Sequence, residues 1–234
     1  MLTDEATMIS VFYLIIAAGL LAVTIWSISL LRRSFSLGAL LMVLPTAALI
    51  YDNLIAGLGS TIGQGQLLQT LSVGRYLGHV FLPALWIYTA LALAHRSGIA
   101  WPGREWVRWG SWLLILLLTV AMIFTDLAGM SLVVEYEGDA LRYVNENRFA
   151  GPPIAATTMT LLVIGLGVAV WRRSGWPWMA AGALFMLLAG TVLHAALGSV
   201  ATNIGELLFA TSLVATEAHV QAVERAQDKK SPGQ

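Results

Sequence analysis

Long apolar stretches broken by short polar or basic punctuation dominate the chain. A bilayer-spanning helix needs about 20 predominantly apolar residues. Seven stretches qualify, near 8–31, 37–59, 73–95, 106–127, 153–171, 177–197 and 200–223. A Gly198-Ser199 turn divides the last two, since a merged helix would overshoot one crossing. Between the fourth and fifth stretches, residues 128–151 form one long polar loop. Within it, Leu132–Tyr136 and Ala140–Val144 are two short β-prone runs separated by Glu137-Gly138-Asp139, which predicts a β-hairpin. Gly151-Pro152-Pro153 then ends the loop and starts the fifth helix. The expected fold is an all-α membrane protein, a seven-transmembrane-helix bundle with a hairpin-like loop between helices 4 and 5.

Charge placement sets the expected orientation. Of the 13 Lys and Arg residues, all but Arg75, Arg142 and Arg148 fall on one side of a seven-helix layout. Basic residues gather on the cytoplasmic side. The N-terminus and the long loop are therefore expected outside and the C-terminus in the cytoplasm. Most tryptophans, among them Trp26, Trp101, Trp106, Trp109, Trp171 and Trp178, map to the same inner interface, where indole rings favour the headgroup zone.

Composition agrees with lipid as the main solvent. The chain of 234 residues is 58% hydrophobic and 11% charged, against roughly a quarter charged in soluble domains. Formal net charge is zero and there is no cysteine, so nucleic acid is not an expected partner, and thiol catalysis and thiolate-held metals are excluded. The acidic start Asp4-Glu5 argues for a retained first helix over a cleaved signal. Residues 1–224 read as one transmembrane domain and 225–234 as a short polar cytoplasmic tail.

Ionisable residues inside a membrane mark its functional interior. Asp52 on helix 2, Arg75 and His79 on helix 3, His194 on helix 6 and Glu206 on helix 7 share the outer half of the layout. Arg75 and His79 are spaced i, i+4 and lie on one face. His194 lies between Gly190 and Gly198, a small-residue spacing that lets another helix approach closely. Glu206, Glu217 and Glu224 share one face of helix 7, with Glu217 and His219 near its wet inner end. The five outer residues are the candidate ligand-binding set, with a structural ion pair of Arg75 with Asp52 or Glu206 as the plain alternative.

The helix 3 stretch Arg75-Tyr76-Leu77-Gly78-His79 through Pro83-Ala84-Leu85-Trp86, with the basic exit His95-Arg96-Ser97-Gly98, resembles the N-terminal seven-transmembrane sensor domain of bacterial histidine kinases. Arg32-Arg33 after helix 1 and the hairpin-like outer loop fit the same layout. The chain carries no Gly-rich nucleotide motif, so the resemblance implies a stand-alone sensor in the plasma (inner) membrane, binding a small or amphiphilic ligand and acting through a cytoplasmic signalling partner. Asn203–Phe209 and Arg75-Tyr76 also resemble segments of microbial rhodopsins. Helix 7 lacks the retinal-binding lysine, however, and the only lysines are Lys229 and Lys230. No cofactor or catalytic residue is expected. Two other readings stay open. A metal-dependent hydrolase would use His79, His194 and Asp52 or Glu206, and a b-type haem protein would pair His79 with His194 or His95 with His219.

Overall fold

A computed structural model describes residues 8–147 and 153–230. Arg148, the Gly151-Pro152 stop, the acidic N-terminus and the last four residues lie outside that range. Nine α-helices and one two-stranded sheet are formed among the described residues: α1 (Ile9–Arg33), α2 (Leu37–Ile62), α3 (Gln66–Phe81), α4 (Trp86–Arg96), α5 (Glu105–Met122), β1 (Leu132–Glu137), β2 (Ala140–Asn145), α6 (Ile154–Ser174), α7 (Trp178–Leu188), α8 (His194–Leu197) and α9 (Ser199–Lys230).

Six helical stretches are long and apolar enough to cross a membrane, so the chain is a multi-pass helical membrane protein. They are α1, α2, α3 with α4, α5 with its terminal π-turn Ile123–Leu127, α6, and α7 with the π-turn Ala189–Leu193 and α8. Helix α9 is not among them, because Asn203, Glu206 and Glu217 dilute its apolar character. Ile15, Leu21, Ile25, Leu113, Leu116, Phe124 and Leu161 are exposed on the outer faces. An apolar belt of this kind has lipid as its natural neighbour.

Local sequence explains the helix ends. The Ser36 hydroxyl accepts the Ala39 N–H at 3.1 Å, capping α2. Gly175, left-handed at φ 77°, closes α6 through its N–H to the Trp171 carbonyl. Inside the bundle, Leu20, Met42, Trp86, Met159, Phe209 and Leu213 form one core around α9. Where α6 meets α7, Gly167 lies so close to Ala180 that a Cβ would meet its backbone at 2.5 Å.

The structure departs from the sequence expectations in several places. The third crossing starts at Gln66, not 73, and is broken at Leu82–Leu85, where Pro83 opens a 3-10 turn. The earlier start is anchored by Leu68, which packs with Ile55, Leu141 and Tyr143 under the hairpin, while Gln66, Gln69 and Thr70 stay exposed. Gly190 has nothing near enough to meet an added Cβ, so no helix approaches closely there. His194 is exposed, and the neighbour its ring meets is Thr202 at the start of α9. Glu217 is 1% exposed, not wet. Helix α9 continues unbroken to Lys230, so residues 225–230 of the polar tail are helical.

The antiparallel strands β1 and β2 pair from Leu132↔Asn145 to Glu137↔Ala140. A two-residue turn joins them, with Gly138 at φ 58° and Asp139 at negative φ, the sign pattern of a type II′ turn. Ala140, Leu141, Arg142, Tyr143 and Asn145 are buried, so β2 is seated on the helices.

Candidate functional site

The polar groups gather in three layers along the bundle. The first is the lock that holds the hairpin. Arg142 donates to the Tyr13 and Ser199 hydroxyls, both at 2.9 Å, and pairs with Glu135 at 2.6 Å and Glu137 at 2.9 Å. Glu137 also accepts the Tyr13 hydroxyl and the Ser199 N–H, each at 2.8 Å. One arginine therefore ties β2, β1, α1 and the start of α9 together. Burial pushes the Glu137 carboxyl up, but the Arg142 charge and the bonds from Tyr13 and Ser199 outweigh it and hold the group below the usual carboxylate range. At the turn, Asp139 Oδ1 accepts the Ser10 N–H at 3.0 Å, and the Leu141 N–H donates to the Ser60 hydroxyl at 3.0 Å. Asn145 N–H donates to the Tyr76 hydroxyl at 2.7 Å.

The second layer contains four of the five sequence candidates. Arg75 Nε donates to Asp52 Oδ1 at 2.7 Å. His79 Nδ1 lies 3.8 Å from Asp52 Oδ1 and 3.1 Å from the Arg75 carbonyl, and its Nε2 lies 3.7 Å from Glu206 Oε1. A continuous polar chain thus crosses α2, α3 and α9. Asp52, Arg75 and Glu206 side chains are 6%, 14% and 12% exposed, whereas His79 is 38% exposed, which makes it the accessible member. The helical face shared by Arg75 and His79 lets both reach Asp52. Around this chain, Glu206 Oε2, Asn203 Oδ1, Asn53 Oδ1 and Trp86 Nε1 are buried with no hydrogen-bond partner among the described residues. Buried polar atoms are nearly always satisfied, so these are the positions where a polar guest gains most. His194 does not join. Its Nδ1 lies 3.0 Å from Thr202 Oγ1 on the exposed side.

The third layer lies at the opposite end. Arg96 donates to both Glu217 oxygens at 2.7 Å and to Glu224 at 2.9 and 2.7 Å. Gln221 Nε2 bridges Glu217 Oε1 at 2.8 Å and the Leu30 carbonyl at 3.1 Å. Trp176 stacks on His219 with centroids 4.3 Å apart and donates from Nε1 to Thr216. The stripe Glu206, Glu217, Glu224 on α9 was the sequence signal for this clamp, and the basic helix 3 exit supplies its cation. Arg142 was signalled only by its place directly opposite Glu135 across the hairpin.

No group of three or more His, Asp or Glu side chains is arranged to hold a metal among the described residues. His79 has Asp52 and Glu206 as its neighbours and His194 has Thr202, while His95 Nδ1 faces the Ile99 carbonyl and His219 stacks on Trp176. Comparison with protein-family models finds no match, and comparison with curated proteins finds none.

Proposed function

We propose that the protein is a seven-helix membrane sensor. Its N-terminus and hairpin face the outside, α9 is the seventh crossing, and α9 reports to a cytoplasmic partner. One observation carries this reading. Helix α9 is bonded to the same broken crossing, α3–α4, on both sides of its Pro83 break: Glu206 faces His79 before it, and Glu217 and Glu224 hold Arg96 after it. A small or amphiphilic ligand entering at His79 competes with Asp52 for Arg75 or satisfies the free Glu206 oxygen. Either event changes how α3 holds α9 at one end, while the helix runs on to Lys230 at the other. Such a ligand shifts the bundle only by its differential affinity for two arrangements. The resemblance of Arg75–Trp86 to histidine-kinase sensor domains points the same way, as does the bias of Lys and Arg toward the α9 end.

The test is thermal stabilisation of the purified protein by fractionated lipid and small-molecule extracts. Stabilisation should be lost in His79→Gln and in the charge-neutral double variant Arg75→Ala/Asp52→Ala, whose basal melting should remain cooperative. Equal stabilisation of wild type and both variants would remove this layer from the site. Hydrolysis of a lipid that a chelator stops would replace the sensor with an enzyme.

A further inference from the structure

At the inner corner where α4 turns into α5, a cleft of about 180 Å³ is lined by Tyr88, Leu91, His95, Pro102, Gly103 and Arg108 along with Ala92 and Arg96. Its two ends differ in chemistry. The floor is apolar, with Leu91 and Tyr88 backed by Trp112, whose ring lies 5.1 Å from Tyr88. The rim is basic. Arg96 spends four of its five N–H donors on Glu217 and Glu224, and its charge is already matched by the two carboxylates. Arg108 is exposed, and its guanidinium has no ion-pair partner among the described residues. His95 is held in place by its contact with Gly103 and by Nδ1 at 3.3 Å from the Ile99 carbonyl, which leaves Nε2 free. Trp101, Trp106 and Trp109, at 44%, 68% and 74% exposed, ring the same corner. Indole rings settle at the headgroup level, so the rim lies where lipid phosphates lie and the floor where acyl chains begin.

We infer that this cleft is a binding site for a single anionic phospholipid, with the phosphate on Arg108 and His95 and the first acyl methylenes against Leu91 and Tyr88. The inference depends only on the protein being embedded in a bilayer and stands whether or not the outer polar chain binds a ligand. A headgroup without tails would leave the apolar floor unused. A zwitterionic lipid would set its own cation against Arg108.

Native mass spectrometry of the full chain, delipidated and then titrated with phosphatidylglycerol or phosphatidylcholine, tests it. One retained phosphatidylglycerol is expected, bound in preference to phosphatidylcholine. Arg108→Gln should weaken that retention by about tenfold or more, the factor that about 1.5 kcal/mol for a hydrogen bond between charged groups supplies. Arg33→Gln removes the same charge from the end of α1 and should retain the lipid as wild type does. Equal losses in the two variants would mean diffuse surface attraction and overturn the site. So would indifference of the wild type to headgroup charge. Inorganic phosphate that displaces the lipid at matched concentration would assign the rim to a free anion and overturn the lipid assignment. Arg108→Lys, which keeps the charge, should restore most of the retention and thereby separates binding from folding.

Discussion

Removing Arg96 should expose how unequally its two carboxylates depend on it. Glu217 has 2% of its side chain exposed and Glu224 has 37%. In Arg96→Met the buried Glu217 loses both 2.7 Å bonds and keeps only the Gln221 amide at 2.8 Å, whereas Glu224 turns to water. Breaking a buried pair by deleting one partner costs roughly 3–5 kcal/mol, and an exposed pair is worth about 0–1 kcal/mol. Arg96→Met should therefore destabilise by about 3 kcal/mol, roughly two orders of magnitude in the unfolding constant at 1.4 kcal/mol per decade. Glu224→Gln should cost under about 1 kcal/mol by the same reasoning for exposed pairs. The double variant Arg96→Met/Glu217→Met removes the stranded charge and should recover most of the loss. Unfolding in mixed micelles by added SDS, followed by tryptophan fluorescence, gives each value, and the cycle isolates the coupling. Additive costs in the double variant, or a Glu224→Gln penalty equal to that of Arg96→Met, would refute the assignment of Glu217 as the buried member.

Three further outcomes follow from the geometry. A Cβ at Gly59 would collide with the Leu141 carbonyl, so Gly59→Ala should undock the hairpin at a cost of roughly 1–3 kcal/mol; unchanged amide-exchange protection of residues 132–145 would contradict this. Glu137 has a folded-state affinity for protons below that of the unfolded chain, whose carboxyl titrates near 4.5. Its contribution is thus complete above that pH and is lost as pH falls through the lowered folded value; hairpin protection should decline in acid, and a Glu137→Gln variant should show a shallower decline. Tags placed at Gly138 and after Lys230 should report from opposite sides of the membrane; reporting from one side would make the number of crossings even.

The apolar periods and their punctuation were enough to read a multi-pass helical bundle, because a bilayer demands unbroken runs of fixed length whatever the helices later pack against. The same logic failed at Gln66–Ser72, which is polar enough to look like a loop. The docked hairpin, through Leu141 and Tyr143, gives Leu68 the apolar partners that hold this turn as helix. It failed too at α9, where hydropathy cannot reveal that Glu217 is buried against an arginine 121 residues away. Spacing alone placed Arg75 and His79 on one face, and the tertiary fold decided that Asp52 and Glu206 meet them there while His194 turns outward. Helical periodicity fixes which residues of one helix share a side. The rotation of each helix about its own axis is set by its neighbours, and here Gly59 against Leu141 and Gly167 against Ala180 set it through contacts between stretches distant in sequence or across a loop.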